Sequence, residues 1–183
     1  VSHFVIRDDV RQHGSGNAGL TNFYRTYGAK YALGVILFDM GKTVVACLLG
    51  GAMFNHLFGD WALGVLLGGL GCELGHMFPV FFGFKGGKGI LSGGTIAIMI
   101  DWRVAIVVWG GFLLLTLLTR YVSLGSLWAG ASFPFISWYC YPVPMIVVLG
   151  FILGGLIIWM HRANIRRLLA GNENKLSFHR KKT

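Results

Sequence analysis

The chain has 183 residues, 55% of them apolar and only 13% charged, with mean hydropathy +0.65 and a formal net charge of +9. Soluble domains carry about 25% charged residues, so the composition excludes an ordinary soluble globular domain and predicts an all-α polytopic membrane protein. The 28 glycines suit a helix bundle in lipid, where small residues let helices approach closely.

Residues 1–30 are polar and basic and contain Gly14-Ser15-Gly16-Asn17-Ala18-Gly19-Leu20-Thr21-Asn22, with Arg25 just beyond. This includes a literal GxGxxG, but no strand precedes it and an apolar span follows from Tyr31, so a dinucleotide fold is rejected. A flexible turn rich in Ser, Asn and Thr remains, and Arg25 has the fork to clamp a phosphate bidentately. The turn reads as a binding site or as a helix cap.

Six apolar spans follow, over 31–58, 61–82, 89–100, 104–119, 124–140 and 145–160. The first two are long enough to cross a hydrocarbon core of about 30 Å. The third is short and must borrow from its flanks, tilt or re-enter. Asp39 and Lys42 lie within the first span at i and i+3, on one helical face. Isolated charges there are costly, so they are expected to pair. A structural ion pair and a substrate-facing lysine both stay open.

Between the second and third spans lies Gly83-Phe84-Lys85-Gly86-Gly87-Lys88-Gly89, preceded by Gly75-His76-Met77-Phe78-Pro79. Glycines free the backbone to curl N–H groups around an anion, and the lysines add positive charge. A plain connection between spans would need the lysines but not the glycines around Lys88. Gly89 stands where a Walker A loop has Ser or Thr for magnesium, which disfavours ATP hydrolysis.

After the last span comes His161-Arg162-Ala163-Asn164-Ile165-Arg166-Arg167-Leu168-Leu169-Ala170-Gly171-Asn172-Glu173-Asn174-Lys175. Ile165, Leu168 and Leu169 make an amphipathic face suited to the interface. His161 and Asn164, at i and i+3, share one face at the mouth of the span. Cys47, Cys72 and Cys140 lie in apolar stretches with no CxxC or Cys/His spacing and read as small buried residues. No metal and no cofactor is expected.

Counting spans puts residues 1–30, the Gly83 loop, Arg120 and residues 161–183 on one side of the membrane. That side holds all 16 Lys and Arg residues except Lys42 and Arg103. The positive-inside rule makes it cytoplasmic. Residues 1–183 then form a single integral domain, with a cytoplasmic first motif in 1–30 and a cytoplasmic basic tail in 161–183. Membrane lipids, not nucleic acid, are the partners such a basic face suits, since no soluble domain presents the charge.

The motifs together resemble the bacterial acyl-phosphate:glycerol-3-phosphate acyltransferase family. Gly14 to Asn22 with Arg25 matches GSGNxGxTN followed by Arg. Gly75 to Gly89 matches GHxFPxFxxFKGGKG, and His161 to Lys175 matches HxxNIxRLxxGxExK. Asp39 and Lys42 match the family's D-x-x-K, and Tyr121-Val122-Ser123-Leu124-Gly125-Ser126 matches a further segment. Ala163 and Thr43 replace a frequent Glu and Gly. The family has seven spans, so the first is expected to be missing or truncated here. His3 and Asp8 also reproduce the HxxxxD spacing of another acyltransferase superfamily, without its surroundings, and read as coincidence.

The resemblance implies transfer of an acyl group from acyl phosphate to glycerol 3-phosphate, giving 1-acylglycerol 3-phosphate and phosphate, the first step of membrane phospholipid synthesis. It implies a bacterial inner (cytoplasmic) membrane location, an active site on the cytoplasmic face and no obligate protein partner. An acyl phosphate carries a good leaving group, so orientation and charge stabilisation suffice. Lys85, Gly86, Gly87, Lys88 and Gly89 are the expected donor-phosphate site. Arg25, Lys42 and Ser126 are candidates for the glycerol-phosphate site. Ser15, Asn17, His161 and Asn164 are the expected catalytic residues, orienting the attacking hydroxyl and its proton acceptor. That acceptor is His161 by pKa, or a substrate phosphate. Asp39, His76, Ser123, Arg167 and Glu173 are motif residues with structural or unassigned roles. The alternatives are a small lipid-phosphate or phosphate transporter, which predicts charges on both faces, and a lipid kinase, which predicts an acidic metal cluster.

Overall fold

A computed structural model describes residues 6–176, and all regular structure among them is helical. His3 and the basic residues Arg180, Lys181 and Lys182 lie outside the described residues. A 3-10 turn, Val10–Gln12, leads to the short amphipathic helix α1, Leu20–Tyr27. Six apolar helices follow: α2 Ala29–Phe58, α3 Trp61–Met77, α4 Ile90–Ile100, α5 Trp102–Thr119, α6 Val122–Cys140 and α7 Pro144–Met160. The last helix, α8, covers Arg162–Leu169.

Local chemistry explains the boundaries. Gly59 ends α2 in the left-handed conformation at φ 70°. Asp60 opens α3 by accepting the Leu63 N–H, and Asp101 opens α5 by accepting that of Arg103. Pro144 stands at the start of α7, where its missing N–H costs nothing.

The stretches Ala29–Phe58, Trp61–Phe82 and Trp102–Thr119 are long and apolar enough to cross a membrane. The pair α7 and α8, bent by 56°, makes a fourth if taken as one broken span. At about 1.5 Å per residue, α4 is too short to cross alone. Leu37, Phe38, Leu49, Leu57 and Phe58 along α2, and Leu114, Leu117 and Leu118 along α5, stay exposed, as lipid-facing helices require.

The chain divides into two compact units, one ending at Ile96 and the other beginning at Ala97. In the first, α2 and α3 pack backbone to backbone. A methyl group on Gly64 would strike the Gly50 carbonyl, and one on Gly68 the Ala46 carbonyl. Beneath the N-terminal segment, Val10, Phe23 and Val35 form a small core. In the second unit Gly130 of α6 and Gly154 of α7 make the same close approach. Trp128 lies against Gly111, and its Nε1 donates to the Val107 carbonyl at 2.9 Å.

Candidate active site

In the first unit the polar turn at 14–22 is organised by Asn22. Its Nδ2 donates to the carbonyls of Val10, His13 and Asn17, and its Oδ1 accepts the Ser15 N–H at 2.9 Å. Asn22 is 3% exposed, so this side chain replaces the backbone partners that a tight turn lacks. Gly14, at φ 58°, leaves room for the Asn22 Oδ1 where a side chain would start. Asn17 also serves the turn, its Oδ1 accepting the Gly19 N–H at 2.8 Å. Ser15 and Arg25 are exposed. Asp8 accepts Tyr27 Oη at 2.8 Å and faces His13 Nε2 at 2.9 Å, and these contacts hold its carboxyl below the usual range. Burial, then Asp8, pushes the Tyr27 phenol up to about 12.

The Gly83 loop folds back on the end of α3. Gly86 N–H donates to the Met77 carbonyl at 3.1 Å, and Gly87 N–H to the His76 carbonyl at 3.2 Å. These two N–H groups therefore close the α3 terminus. They do not form the expected anion-binding curl. The glycines are required by close approach instead. A Cβ on Gly86 would meet the His76 carbonyl, one on Gly87 the His76 ring, and one on Gly89 the Glu73 carboxylate. What the loop presents to an anion is the charge of exposed Lys85 and half-buried Lys88, beside the N-terminus of α4. Arg11 lies over the Phe82 ring at 5.3 Å, and its Nη1 donates to the Phe82 carbonyl at 3.4 Å. The segment just before the first motif thus touches the second motif within this unit.

Beside the loop, α2 and α3 bring three polar side chains together. Lys42 Nζ lies 2.7 Å from Asp39 and 2.8 Å from His76 Nδ1, and His76 Nδ1 is 3.6 Å from Asp39. With Lys42 donating to Nδ1, the neutral His76 ring carries its proton on Nε2. Asp39 and Lys42 do pair, as expected. The Lys42 side chain nonetheless stays 39% exposed, so pairing does not remove it from ligand reach.

In the second unit, α6, α7 and α8 build a different cluster. His161 caps α7 and is 3% exposed. Its Nδ1 lies 2.8 Å from the Ile157 carbonyl, so Nδ1 is the protonated nitrogen of the neutral ring and Nε2 is the acceptor. Asn164, 6% exposed, donates from Nδ2 to Glu173 Oε1 at 2.8 Å. Arg167 Nε donates to the other Glu173 oxygen, also at 2.8 Å. Burial alone would raise the Glu173 carboxyl, but the Asn164 and Arg167 hydrogen bonds outweigh it and hold the group below its ordinary value. Ser123 stands close to Glu173, outside good hydrogen-bonding geometry. Ser126 is buried and donates to the Val122 carbonyl at 2.9 Å. The chain beyond α8 returns to the start of α6, with Lys175 Nζ 5.6 Å from the Tyr121 ring and Leu176 N–H on the Arg120 carbonyl. The Tyr121–Ser126 segment and the third motif are therefore neighbours.

The structure gathers Arg25, Ser15, Asn17, Asp39, Lys42, His76 and the Gly83 loop within the first unit. Ser123, Ser126, His161, Asn164, Arg167 and Glu173 belong to the second. Two residues escaped the sequence reading. Asn22 looked like the tail of a motif, and its burial depends on a turn that sequence does not show. Glu73, fully buried in α3, had a visible signal, since it is an acid in the middle of an apolar span. Among the described residues, no group of three or more His, Cys, Asp or Glu side chains is placed to hold a metal ion.

Residues 1–171 match the family model described as glycerol-3-phosphate acyltransferase. A glycerol-3-phosphate acyltransferase of Thermoanaerobacter pseudethanolicus is 37% identical over 96% of this chain and 86% of its own length. Another, from Brucella anthropi, is 42% identical over 92% of this chain and 80% of its own length. Among solved structures, the integral membrane glycerol 3-phosphate acyltransferase PlsY in its glycerol 3-phosphate form superposes with a TM-score of 0.79. It is 34% identical and the match covers 93% of this chain and 83% of that one. The lysophosphatidic acid form of PlsY superposes equally well, at 35% identity over 90% of this chain and 82% of that one.

Proposed function

We infer that this chain, which belongs to the glycerol-3-phosphate acyltransferase family, acylates glycerol 3-phosphate with an acyl phosphate as donor. The hydroxyl of glycerol 3-phosphate attacks the acyl carbonyl carbon. An ester C–O bond forms as the C–O bond to phosphate breaks, and phosphate leaves with that electron pair. The hydroxyl proton passes to His161 Nε2. One observation carries this assignment: the Ile157 carbonyl holds His161 in the tautomer whose Nε2 accepts a proton. A substrate phosphate as acceptor is the outcome that the His161 variants below would reveal.

Lys85 and Lys88, with the α4 N-terminus, hold the donor phosphate through charge, while Gly86, Gly87 and Gly89 let the loop close on α3. Arg25, Lys42 and Ser126 receive the phosphate of the acceptor. Ser15, Asn17 and Asn164 orient the attacking hydroxyl, with Glu173 and Arg167 fixing Asn164. The relatives support the acceptor, since one PlsY structure is the glycerol 3-phosphate form.

The whole chain acts as one integral membrane domain, with six crossings by α2 to α7 and its motifs on the cytoplasmic face of a bacterial inner membrane. The distribution of Lys and Arg supports that orientation. The decisive experiment measures phosphate release from synthetic acyl phosphate by purified protein, with and without glycerol 3-phosphate. Release that requires glycerol 3-phosphate and yields 1-acylglycerol 3-phosphate is expected. Turnover with acyl-CoA alone would overturn the donor. Single-cysteine labelling tests orientation: positions 85 and 172 should label from the same side.

A further inference from the structure

The interior of the first unit holds a carboxyl group that the reaction above does not use. Glu73, one helical turn before the end of α3, is 0% exposed, and neither of its oxygens has a hydrogen-bond partner. Ser92, in the first turn of α4, is equally buried, and its hydroxyl lies beside Glu73 outside hydrogen-bonding geometry. The carboxyl occupies the space where Gly89 would carry a side chain. Gly89, at φ 81°, closes the lysine loop and immediately precedes α4. Glu73 therefore sits directly under the place where the loop and the α4 N-terminus concentrate positive potential.

We propose that Glu73 is a positioning residue that couples a proton to anion binding at the lysine loop. The proposal deepens the donor-site assignment above and rests on it. An ionised Glu73 and a bound phosphate would use the same positive end of α4. Two anions at such short range in a poorly solvated interior repel strongly. The phosphate therefore binds to the form in which Glu73 carries a proton, and by linkage its binding favours that proton. When inorganic phosphate leaves, the proton can be released again, so the loop empties more easily as pH rises.

Other charged groups face the same spot. Asp39 and Lys42 of α2 act on Glu73 electrostatically, and His76 follows on α3 itself. Lys85 and Lys88 lie on the loop, and α4 contributes Ser92 but no titratable residue. Asp39 is paired with Lys42. His76 is the group whose titration could imitate that of Glu73, because its deprotonation would also weaken an anion. Removing the Glu73 carboxyl separates the two.

Sulfate is the probe, because it remains a dianion throughout the range and contributes no proton of its own. Its affinity for the purified protein in detergent is measured by calorimetry between about pH 5.5 and about pH 9. For the wild type we expect the dissociation constant to rise with a limiting slope of about tenfold per pH unit. Glu73→Gln keeps the shape and removes the titration, so its sulfate affinity should stay at the wild-type low-pH value throughout. Glu73→Met fills the same pocket without a polar group, serves if the Gln variant fails to fold, and should also lose the slope. A wild-type affinity independent of pH overturns the proposal, as does a slope that survives in either variant, which would belong to His76. Absence of sulfate binding at every pH overturns it together with the loop as an anion site. The donor assignment fails separately, if the wild type makes no product from acyl phosphate and glycerol 3-phosphate.

Discussion

The two polar clusters are built on opposite principles. At the end of the first unit the charged side chains are long and accessible: Lys85 and Arg25 are exposed and Lys42 is 39% exposed. The loop lysines take their position from backbone, because Gly86, Gly87 and Gly89 press the loop onto α3 with no room for a Cβ. In the second unit His161 and Asn164 are buried, and the half-exposed Arg167 is tied to a Glu173 side chain that is only 7% exposed. His161 is tied to Ile157, while Asn164 and Arg167 share the two oxygens of Glu173. The first arrangement suits capture of phosphates by charge, where some freedom of the lysines is tolerable. The second suits proton transfer and hydroxyl orientation, where small displacements are costly.

The comparison predicts that the second unit is the more sensitive to single substitutions. His161→Ala should lose about 10²–10⁴ in kcat, the usual worth of a positioned base, with little change in KM for either substrate. His161→Gln should be nearly as inactive, since it keeps hydrogen bonding but does not titrate near neutrality. Product formation assayed with saturating substrates measures both. A near wild-type rate for His161→Gln would transfer the base role to a substrate phosphate.

Glu173→Ala should come next. It leaves Asn164 and Arg167 without their buried acceptor, a loss of about 1–3 kcal/mol for a charged hydrogen-bonded group. The expected result is a lower kcat, on the order of tenfold, and a lower melting temperature. Its pH dependence has a definite sign. The folded Glu173 carboxyl titrates below the ordinary 4.5, so its stabilisation is complete above that value and disappears as pH falls through the lower folded value. Melting curves of wild type and Glu173→Gln should therefore converge only as pH falls through the folded Glu173 value, below 4.5. Parallel curves would mean that Glu173 contributes no charge-dependent stability.

Within the first unit, glycine substitutions should exceed lysine substitutions in structural effect and trail them in electrostatic effect. Gly87→Ala forces its methyl group into the His76 ring, and overpacking of this kind typically costs about 1–3 kcal/mol. It should lower the melting temperature and raise the KM for acyl phosphate. Lys88→Ala should raise that KM without comparable loss of stability. If Gly87→Ala melts like the wild type, the loop is not held against α3 as described.

The smallest effect is expected at a residue that belongs to neither cluster. Asp101→Ala removes the cap of α5 and the contact of Asp101 with Arg103, which should cost about 1 kcal/mol of stability and leave kcat unchanged. Hydrogen bonding to Arg103 holds the Asp101 carboxyl down at about 2. Its contribution should therefore persist into moderately acid conditions, as thermal melts of this variant and the wild type will show.

Hydropathy alone located the helices α2 to α7 to within a few residues, because an apolar run in lipid has no alternative to satisfying its own backbone hydrogen bonds. The motif residues were equally legible as candidates, since Gly, Lys, Asn and His in these patterns carry recognisable chemistry. The pairing of Asp39 with Lys42 followed from helical spacing. Partners distant in sequence did not follow: His76 completing that pair across α2 and α3, Asn22 holding the first motif, and Glu73 lying under Gly89. The use of the Gly86 and Gly87 N–H groups to close α3 was also invisible, because which acceptor an amide finds depends on how the chain returns. Sequence by itself determined the elements, the composition of the motifs and the charge bias, all set by local periodicity and solvation. Tertiary structure decided which donor meets which acceptor, because that depends on close approaches that arise only when the helices pack.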